Sequence, residues 1–146
     1  SGDVGGPYQE SDNYAAAGSG FGPQPSGHVC WYQTVSCLAK NRLGFNQFKY
    51  SMKVRWCVKT STGGIGSGNG SITWATLYDF SAYEYVGELP GERYKEYSFT
   101  TVKRVAHFRA CQPGIGWPCY HAYPWLWHKG YNTGESTWDG GIDGGA

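Results

Sequence analysis

The sequence lacks the patterns that indicate helices. No window has apolar residues recurring every 3.6 positions, the spacing of an amphipathic helix. No run of about 18 apolar residues occurs either, so no membrane-spanning helix is predicted. Glycine and aromatic residues are abundant instead, with 23 Gly, 7 Trp and 12 Tyr in 146 residues. This composition favours short strands and turns over helices.

Several short catalytic and binding motifs are also missing. The chain has no G-x-S-x-G, no C-x-x-C and no H-x-x-x-H sequence, so neither a serine hydrolase nor a zinc site is expected. The glycine-rich stretch 61–70 lacks a following G-K-[ST], which predicts a hairpin loop rather than a phosphate loop. We therefore expect no metal and no cofactor. Asn69 begins a glycosylation sequon, Asn-Gly-Ser, which matters only in a host that glycosylates.

The strongest structural signal is an unbroken alternation of side chains in residues 47–58. Successive side chains of a strand point to opposite faces, so one set is expected in the core and the other on the far face. The predicted core set is Phe48, Tyr50, Met52, Val54, Trp56 and Val58. The other set includes three cations, Lys49, Lys53 and Arg55. Residues 47–58 are therefore predicted to form a central, amphipathic strand.

Further strands are predicted on both sides of this one. They cover residues 28–37, 71–80, 83–89, 94–111 and 120–127, with a bulge expected near 102–105. Asn41 and Gly44 are predicted to turn the chain before residue 47. The expected fold is all-β, an antiparallel sandwich or flattened barrel of about six to eight strands.

Charge divides the chain into three regions. Residues 1–27 and 132–146 each carry three carboxylates and no Lys or Arg, whereas all 12 Lys and Arg lie in 28–131. We predict an extended acidic arm (1–27), a β-domain (28–131) and a flexible acidic glycine-rich tail (132–146). Opposite charge favours docking of the ends onto this body or onto a neighbour's. Acidic ends also compete with phosphate for the same cations, so nucleic-acid binding is not expected.

The arm has two interpretations. Its seven Gly and three Pro are typical of a disordered terminus. Spaced aromatic residues at Tyr8, Tyr14 and Phe21 favour instead a segment that orders on binding. The row Lys49, Lys53 and Arg55 is the predicted basic docking face for it.

Five cysteines in a chain of this size, with a small-residue start and no initial Met, predict a secreted protein with disulfides. Cys111 and Cys119 flank a short turn and are the easiest pair to bridge. Among Cys30, Cys37 and Cys57, spacing alone leaves the pairing open, and one cysteine is left over because five is odd.

The region from Asn41 to Trp138 resembles a group of small secreted proteins of actinobacteria with no assigned enzymatic role. The motifs that carry the resemblance are N-R-L-G, R-W-C, Y-E-Y-V-G-E-L, H-F-R-A-C, C-Y-H-A-Y-P-W and G-E-S-T-W. Proteins of this kind are similar to the small adaptor subunit of umbrella toxin particles. The resemblance implies a disulfide-bonded β-domain used in extracellular assembly, with Cys30 bridged to Cys57. Cys37 then remains as a buried inert thiol, a free thiol or an intermolecular bridge.

The favoured function is therefore a non-enzymatic assembly subunit. Its arm is expected to add as a strand to other copies of the chain or to a different secreted subunit, building a filament or particle.

Two other functions are also consistent with parts of the sequence. In the first, exposed Trp117, Tyr120 and Trp125 stack on a glycan, although Tyr123, Trp125 and Trp127 share a parity that favours the core face of the last strand. In the second, Glu84 and Glu88, which share a parity, line one strand face as the carboxylate pair of a hydrolase. The more ordinary interpretation is that Glu84 and Glu88 are solvent-exposed polar residues of a strand.

Overall fold

The computed structural model describes residues 5–13, 21–111 and 118–145, the first of these ranges as backbone. These residues form nine β-strands and no helix, which confirms the all-β prediction. Within the described residues there is accordingly no helix of the length and apolar character needed to cross a membrane. The strands are β1 (Gly5–Asn13), β2 (His28–Lys40), β3 (Asn46–Lys59), β4 (Gly70–Leu77), β5 (Glu84–Glu88), β6 (Glu92–Lys95), β7 (Phe99–Cys111), β8 (Cys119–Tyr131) and β9 (Ser136–Gly145).

The strands are arranged in two antiparallel sheets. The first sheet has the order β1-β2-β3-β4, and the second has the order β5-β7-β8-β9 with β6 also paired to β7. Their facing side chains form one core cluster, so the architecture is a sandwich. Eight of the strands follow residue 27, within the predicted number, and β1 comes from the arm.

The alternation predicted for residues 47–58 is present in β3. Phe48, Tyr50 and Met52 have no exposed surface and belong to the core cluster. Before this strand, the Asn41 side-chain oxygen accepts hydrogen bonds from the backbone N–H groups of Leu43 and Phe45, both at 3.0 Å. The turn also requires a positive φ of 86° at Gly44. The predicted turn is therefore confirmed, and β3 lies between β2 and β4.

Stacked rings join the two sheets at the centre of the core. The centroids of Phe48 in β3 and Phe108 in β7 are 4.0 Å apart, with 9° between the ring planes. Tyr50 and Tyr83 pack edge-on against this pair. Large rings from β3 and β7 thus fill the space between the sheets.

The predicted core face of β8 is wrong. Tyr123, Trp125 and Trp127 are half-buried, while the alternate residues of β8 are the buried ones. The reason is the space already taken by rings from β3 and β7. A Cβ on Gly130, for example, would lie only 2.5 Å from the Trp56 ring, so this position admits no side chain. The large rings of β8 therefore face outward, and its inward-facing residues are Ala122, Pro124, Leu126, His128 and Gly130.

The predicted flexible tail is also not what the structure has for residues 136–145. They form β9, which pairs along β8 from Gly130↔Ser136 to His121↔Gly145. Glycine at position 141 allows β9 to approach β8 closely, because a Cβ on Gly141 would lie 2.9 Å from the Trp125 ring. Trp138 and Ile142 pack against the core from the inner face of β9.

Residues 99–111 form a single strand with an unbroken register against β8, so the bulge predicted near 102–105 is absent there. The irregularity lies in β5, between Tyr85 and Gly87. There the extra residue has no partner in β7, and the strand changes the direction of its side chains.

Candidate functional site

The arm strand β1 covers the edge of the first sheet. It pairs antiparallel with β2 from Tyr8↔Leu38 to Asn13↔Gln33 and has no second neighbour among the described strands. The middle of β2 is buried on both faces, as Val35, Ser36 and Cys37 show. An edge of this kind, apolar and long, pairs readily with any extended chain. β1 therefore protects an edge that would otherwise be open to association.

Arg55 connects the end of the arm to the body. Its Nη1 donates to the Gly22 carbonyl at 2.6 Å, and its Nε donates to the Gly68 carbonyl at 2.7 Å. Its guanidinium carbon lies 5.2 Å from the centroid of the Phe21 ring, which in turn packs on Tyr32. Of the three predicted arm anchors, Phe21 thus contacts the body. Tyr14 and the side chain of Tyr8 lie outside what the structure describes.

The predicted basic docking face is only partly open. Lys49, Lys53 and Arg55 share the outer face of β3, but Arg55 is 6% exposed and already occupied by the chain's own carbonyls. Lys49 and Lys53 are half-buried. Two strands away, Asp12 of β1 pairs with Thr34, and Thr34 pairs with Lys53. Glu10 and Asp12, the acidic positions of β1, therefore lie in the same sheet as the two lysines.

The outer face of the second sheet carries a row of aromatic and cationic side chains. We call Tyr123, Trp125, Trp127, Lys129 and Tyr131 of β8 the outer aromatic row. The Lys129 Nζ lies 4.2 Å from the Phe99 ring centroid and 5.1 Å from that of Tyr131. The Lys103 Nζ lies 5.3 Å from the Trp125 ring centroid. Cations over ring faces hold these rings in place on a half-exposed surface.

Only one of the predicted sugar-stacking residues belongs to this row. Trp125 lies in it, whereas Tyr120 pairs with Ala110 at a position of opposite parity. Trp117 lies outside the described residues. The three residues therefore do not form a common platform in the described part of the chain. Tyr123 and Trp127, which sequence parity assigned to the core, accompany Trp125 instead.

A histidine pair ends the outer aromatic row. The His107 Nε2 and the His121 Nδ1 are 2.8 Å apart, and the His107 ring stacks on Tyr123 with centroids 4.8 Å apart. Partial burial and the nearby His121 and Arg109 lower the pKa of His107. In the described part of the chain, no three His, Cys, Asp or Glu side chains are grouped closely enough to hold a metal ion.

Glu84 and Glu88 do not form a carboxylate pair on one face. Glu84 pairs with Arg109 in β7, whereas Glu88 pairs with Ala106, a position of opposite parity, because the bulge between them reverses the alternation. Glu84 forms a salt bridge to Arg109. The prediction that both line one face is therefore wrong.

The Glu88 carboxylate accepts hydrogen bonds from side chains of three strands. Its Oε1 accepts from the Tyr50 hydroxyl at 2.5 Å and from the Thr73 hydroxyl at 2.9 Å, and its Oε2 accepts from the Tyr85 hydroxyl at 2.9 Å. Burial and this carboxylate raise the pKa of Tyr50. Arg104 lies 3.5 Å from the same carboxylate. These bonds tie β3, β4 and β5 together across the edge of the sandwich.

The structure contains the disulfides Cys30–Cys57 and Cys111–Cys119. Cys37 is the free cysteine and is fully buried. Its Sγ donates a hydrogen bond to the Gly141 carbonyl at 3.3 Å, and burial raises its pKa to about 12. A thiol in this setting cannot reach another subunit while the fold is intact, so of the alternatives for Cys37 the buried thiol is the one found.

The glycine-rich stretch 61–70 connects β3 to β4, as predicted for a hairpin loop. The Asn69 side chain is used within it: its Oδ1 accepts from the Cys57 N–H at 2.9 Å, and its Nδ2 donates to the Gly66 carbonyl at 2.8 Å. Glycosylation would attach a glycan to an amide nitrogen that already donates a hydrogen bond within the loop.

Comparison with protein-family models, with curated proteins and with solved structures finds no match for this chain.

Proposed function

We propose that the protein is a secreted, non-enzymatic assembly subunit that exchanges its N-terminal strand with neighbouring copies. The observation that carries this proposal is β1, a strand from the arm. Among the described strands it pairs only with β2, and it closes an edge buried on both faces. The same backbone hydrogen bonds are available whether β1 comes from its own chain or from the next one. Moving β1 from its own chain to a neighbouring copy therefore loses few contacts overall.

The connection between β1 and β2 supports exchange. Residues 14–27 separate the two strands, whereas a tight hairpin would need about two to five. A long connection lets β1 reach a neighbour without distorting β2. The vacated edge then accepts the arm of a further copy, and such head-to-tail contacts grow without closing.

Charge and disulfides are consistent with this role. The arm carries three carboxylates and no Lys or Arg, and Lys49 and Lys53 lie on the sheet that it joins. Two disulfides are typical of domains that work in an oxidising, extracellular compartment. This style of small disulfide-bonded β-domain is also what the resemblance to actinobacterial secreted proteins implies.

A mixed cross-linking experiment tests the exchange. Asp12 pairs with Thr34, so we would co-produce one chain carrying Asp12→Cys with a second, differently tagged chain carrying Thr34→Cys. A covalent dimer of the two chains on a non-reducing gel is the expected result, because the bridge requires the arm of one on the edge of the other. The control replaces Asp12→Cys with Ser11→Cys, whose register partner is Val35. Cross-linking confined to a single chain that carries both substitutions would contradict exchange between copies.

The outer aromatic row supports a second candidate, binding of an extended glycan. Three neighbouring rings of β8, Tyr123, Trp125 and Trp127, face outward instead of entering the core. Flat aromatic rings spaced along a strand fit the apolar faces of successive sugar rings. Pull-down on insoluble polysaccharides should be weakened by Trp125→Ala and not by Phe45→Ala, an exposed ring in the β2–β3 turn. Equal retention of the two variants would exclude the row as the binding surface.

A further inference from the structure

A second aromatic site lies inside the mouth of the sandwich, away from the outer aromatic row. It is a cavity of about 560 Å³ between β2, β3 and β9. Small-molecule sites commonly fall in the range of about 300–1,000 Å³. The cavity is lined by Trp31, Tyr32, Gln33, Trp56, Gly134, Glu135, Ser136 and Trp138.

The aromatic walls of the cavity are fixed by packing. Trp31 and Trp56 stack with centroids 6.1 Å apart, and the Trp56 Nε1 donates to the Tyr131 carbonyl at 3.1 Å. Gly134, with φ of 92°, brings its backbone under the Trp31 ring, where a Cβ would lie 2.6 Å from the ring. The indoles therefore need little rearrangement to receive a ligand, which favours affinity.

A buried amide forms the polar end of the cavity. Gln33 is 5% exposed, and its Oε1 accepts from the His128 Nε2 at 2.7 Å and from the Ser136 Oγ at 2.6 Å. The Nε2 of the same amide has no hydrogen-bond partner among the residues that the structure describes. The two hydrogen bonds to its Oε1 fix the orientation of the amide, so its Nε2 is held ready to donate to a ligand oxygen.

The charge of the lining restricts the ligand. Among the described residues that line the cavity, no Lys or Arg is present, and Glu135 is exposed. A phosphate, sulfate or carboxylate ligand would meet only negative charge there. A purely apolar ligand would offer no acceptor to the Gln33 Nε2, whereas a ligand hydroxyl can accept from it. The lining therefore fits a neutral molecule with both C–H faces and hydroxyl groups.

We propose that this cavity binds one neutral hexopyranose unit, with its C–H face against the indole of Trp138. Its hydroxyl groups accept a hydrogen bond from the Gln33 Nε2 and donate to Ser136 or Glu135. This site takes a single sugar ring, whereas the outer aromatic row would contact several rings in sequence. One of its lining residues, Gln33, is also the register partner of Asn13 in β1.

Titration of the full-length protein tests the site. The probes are the methyl glycosides of glucose, galactose, mannose and N-acetylglucosamine, followed by Trp fluorescence and by saturation-transfer NMR. We expect saturable binding of at least one of them. Glu135→Gln with Ser136→Ala should weaken it by about tenfold, because the variant removes the Ser136 hydroxyl and the Glu135 carboxylate that accept hydrogen bonds from the sugar. Trp138→Ala should abolish it, and Phe45→Ala should leave it unchanged.

Other outcomes would overturn the proposal. These are no saturable binding of any of the four glycosides, equal binding by the wild type and the Trp138→Ala variant, or tighter binding of tetramethylammonium or sulfate. The Glu135→Gln, Ser136→Ala variant changes two residues outside the core cluster, so it keeps the test valid if Trp138→Ala does not fold.

Discussion

The His128 Nε2 donates a hydrogen bond of 2.7 Å to the Gln33 Oε1, joining the second sheet to the first. His128 is 1% exposed, and the Trp56 ring covers it at a centroid distance of 4.9 Å. Burial, and to a smaller extent the positive charge of Arg93, lower its pKa to about 4. His128 is therefore neutral in the folded protein at ordinary pH, as the donor role toward Gln33 requires only one ring N–H.

Stability should fall on acidification because of this histidine. The unfolded chain, with an ordinary pKa of 6.5, takes up the proton before the folded chain does. The contribution of neutral His128 to the free energy of unfolding is fully present above pH 6.5 and is lost as the pH falls towards about 4. The expected loss is about 3 kcal/mol in the free energy of unfolding, measured by urea denaturation between pH 7 and pH 4.

Carboxylates also titrate in this window, so the control is His128→Gln, which cannot ionise. Its stability should depend less steeply on pH than that of the wild type between pH 6.5 and pH 4. The same slope in both proteins would mean that His128 is not the group responsible.

The stacked pair Phe48 and Phe108 leads to a second prediction. Phe108→Ala should lower the free energy of unfolding by about 3–5 kcal/mol, because it removes a ring that fills the space between the sheets. Phe45→Ser, at a ring that is largely exposed in the β2–β3 turn, should change it by about 0.5 kcal/mol or less. Urea denaturation of both variants at pH 7 measures the difference. Similar losses of unfolding free energy in the two variants would mean that the Phe108 ring is not part of the stabilising core.

Much of the first sheet is predictable from sequence because its signals are local. The alternation from Phe48 to Val58 fixes which face of β3 enters the core, and Asn41 with Gly44 fixes the preceding turn. Both depend on residues a few positions apart. Cys30 and Cys57 are then register partners across β2 and β3, as a bridge between neighbouring strands requires.

The second sheet is less predictable because its signals are not local. The alternation in β8 correctly places Tyr123, Trp125 and Trp127 on one face of the strand. Only the rings on β3 and β7 decide that this face points outward. In β9, glycine weakens any strand signal, and its value is visible only where Gly141 lies against Trp125. A bulge of one residue likewise separates Glu84 from Glu88, and no alternation pattern reveals it.

The cavity was missed for the same reason. Its lining comes from β2, β3, β9 and the turn before β9, which are distant in sequence. Gln33 and Ser136 have no motif in common, and Trp31 looks like any strand tryptophan. Only the assembled sandwich brings them together.

The two disulfides should contribute unequally to stability. Cys30–Cys57 closes a loop with a sequence separation of 27, and Cys111–Cys119 closes one with a separation of 8. Chain entropy assigns about 3.5 kcal/mol to the first bridge and about 2.5 kcal/mol to the second. We expect the double variant Cys30→Ser, Cys57→Ser to unfold at lower urea than Cys111→Ser, Cys119→Ser, without reductant. The reverse order would show that native-state packing outweighs loop length.

Arg55 should hold the end of the arm against the body. Its hydrogen bonds to the Gly22 and Gly68 carbonyls join two segments that have no strand of their own. Because Arg55 is buried, Arg55→Ala removes both bonds and the cation over Phe21, with an expected loss of about 2–3 kcal/mol in the free energy of unfolding. Hydrogen–deuterium exchange should rise in peptides covering residues 21–27 and 66–70, with β7 and β8 unchanged.

Lys53→Ala is the matched control for this variant, since Lys53 lies on the same face of β3 one step away along the alternation and is only half-buried. It should change stability by about 0.5 kcal/mol or less and leave exchange in residues 21–27 as in the wild type. Arg55→Lys should behave closer to Arg55→Ala than to the wild type, because one ammonium cannot reproduce two donors held in a planar guanidinium. If Lys53→Ala loosened residues 21–27 as much as Arg55→Ala does, the arm would be held by the general positive charge of the sheet and not by these two hydrogen bonds.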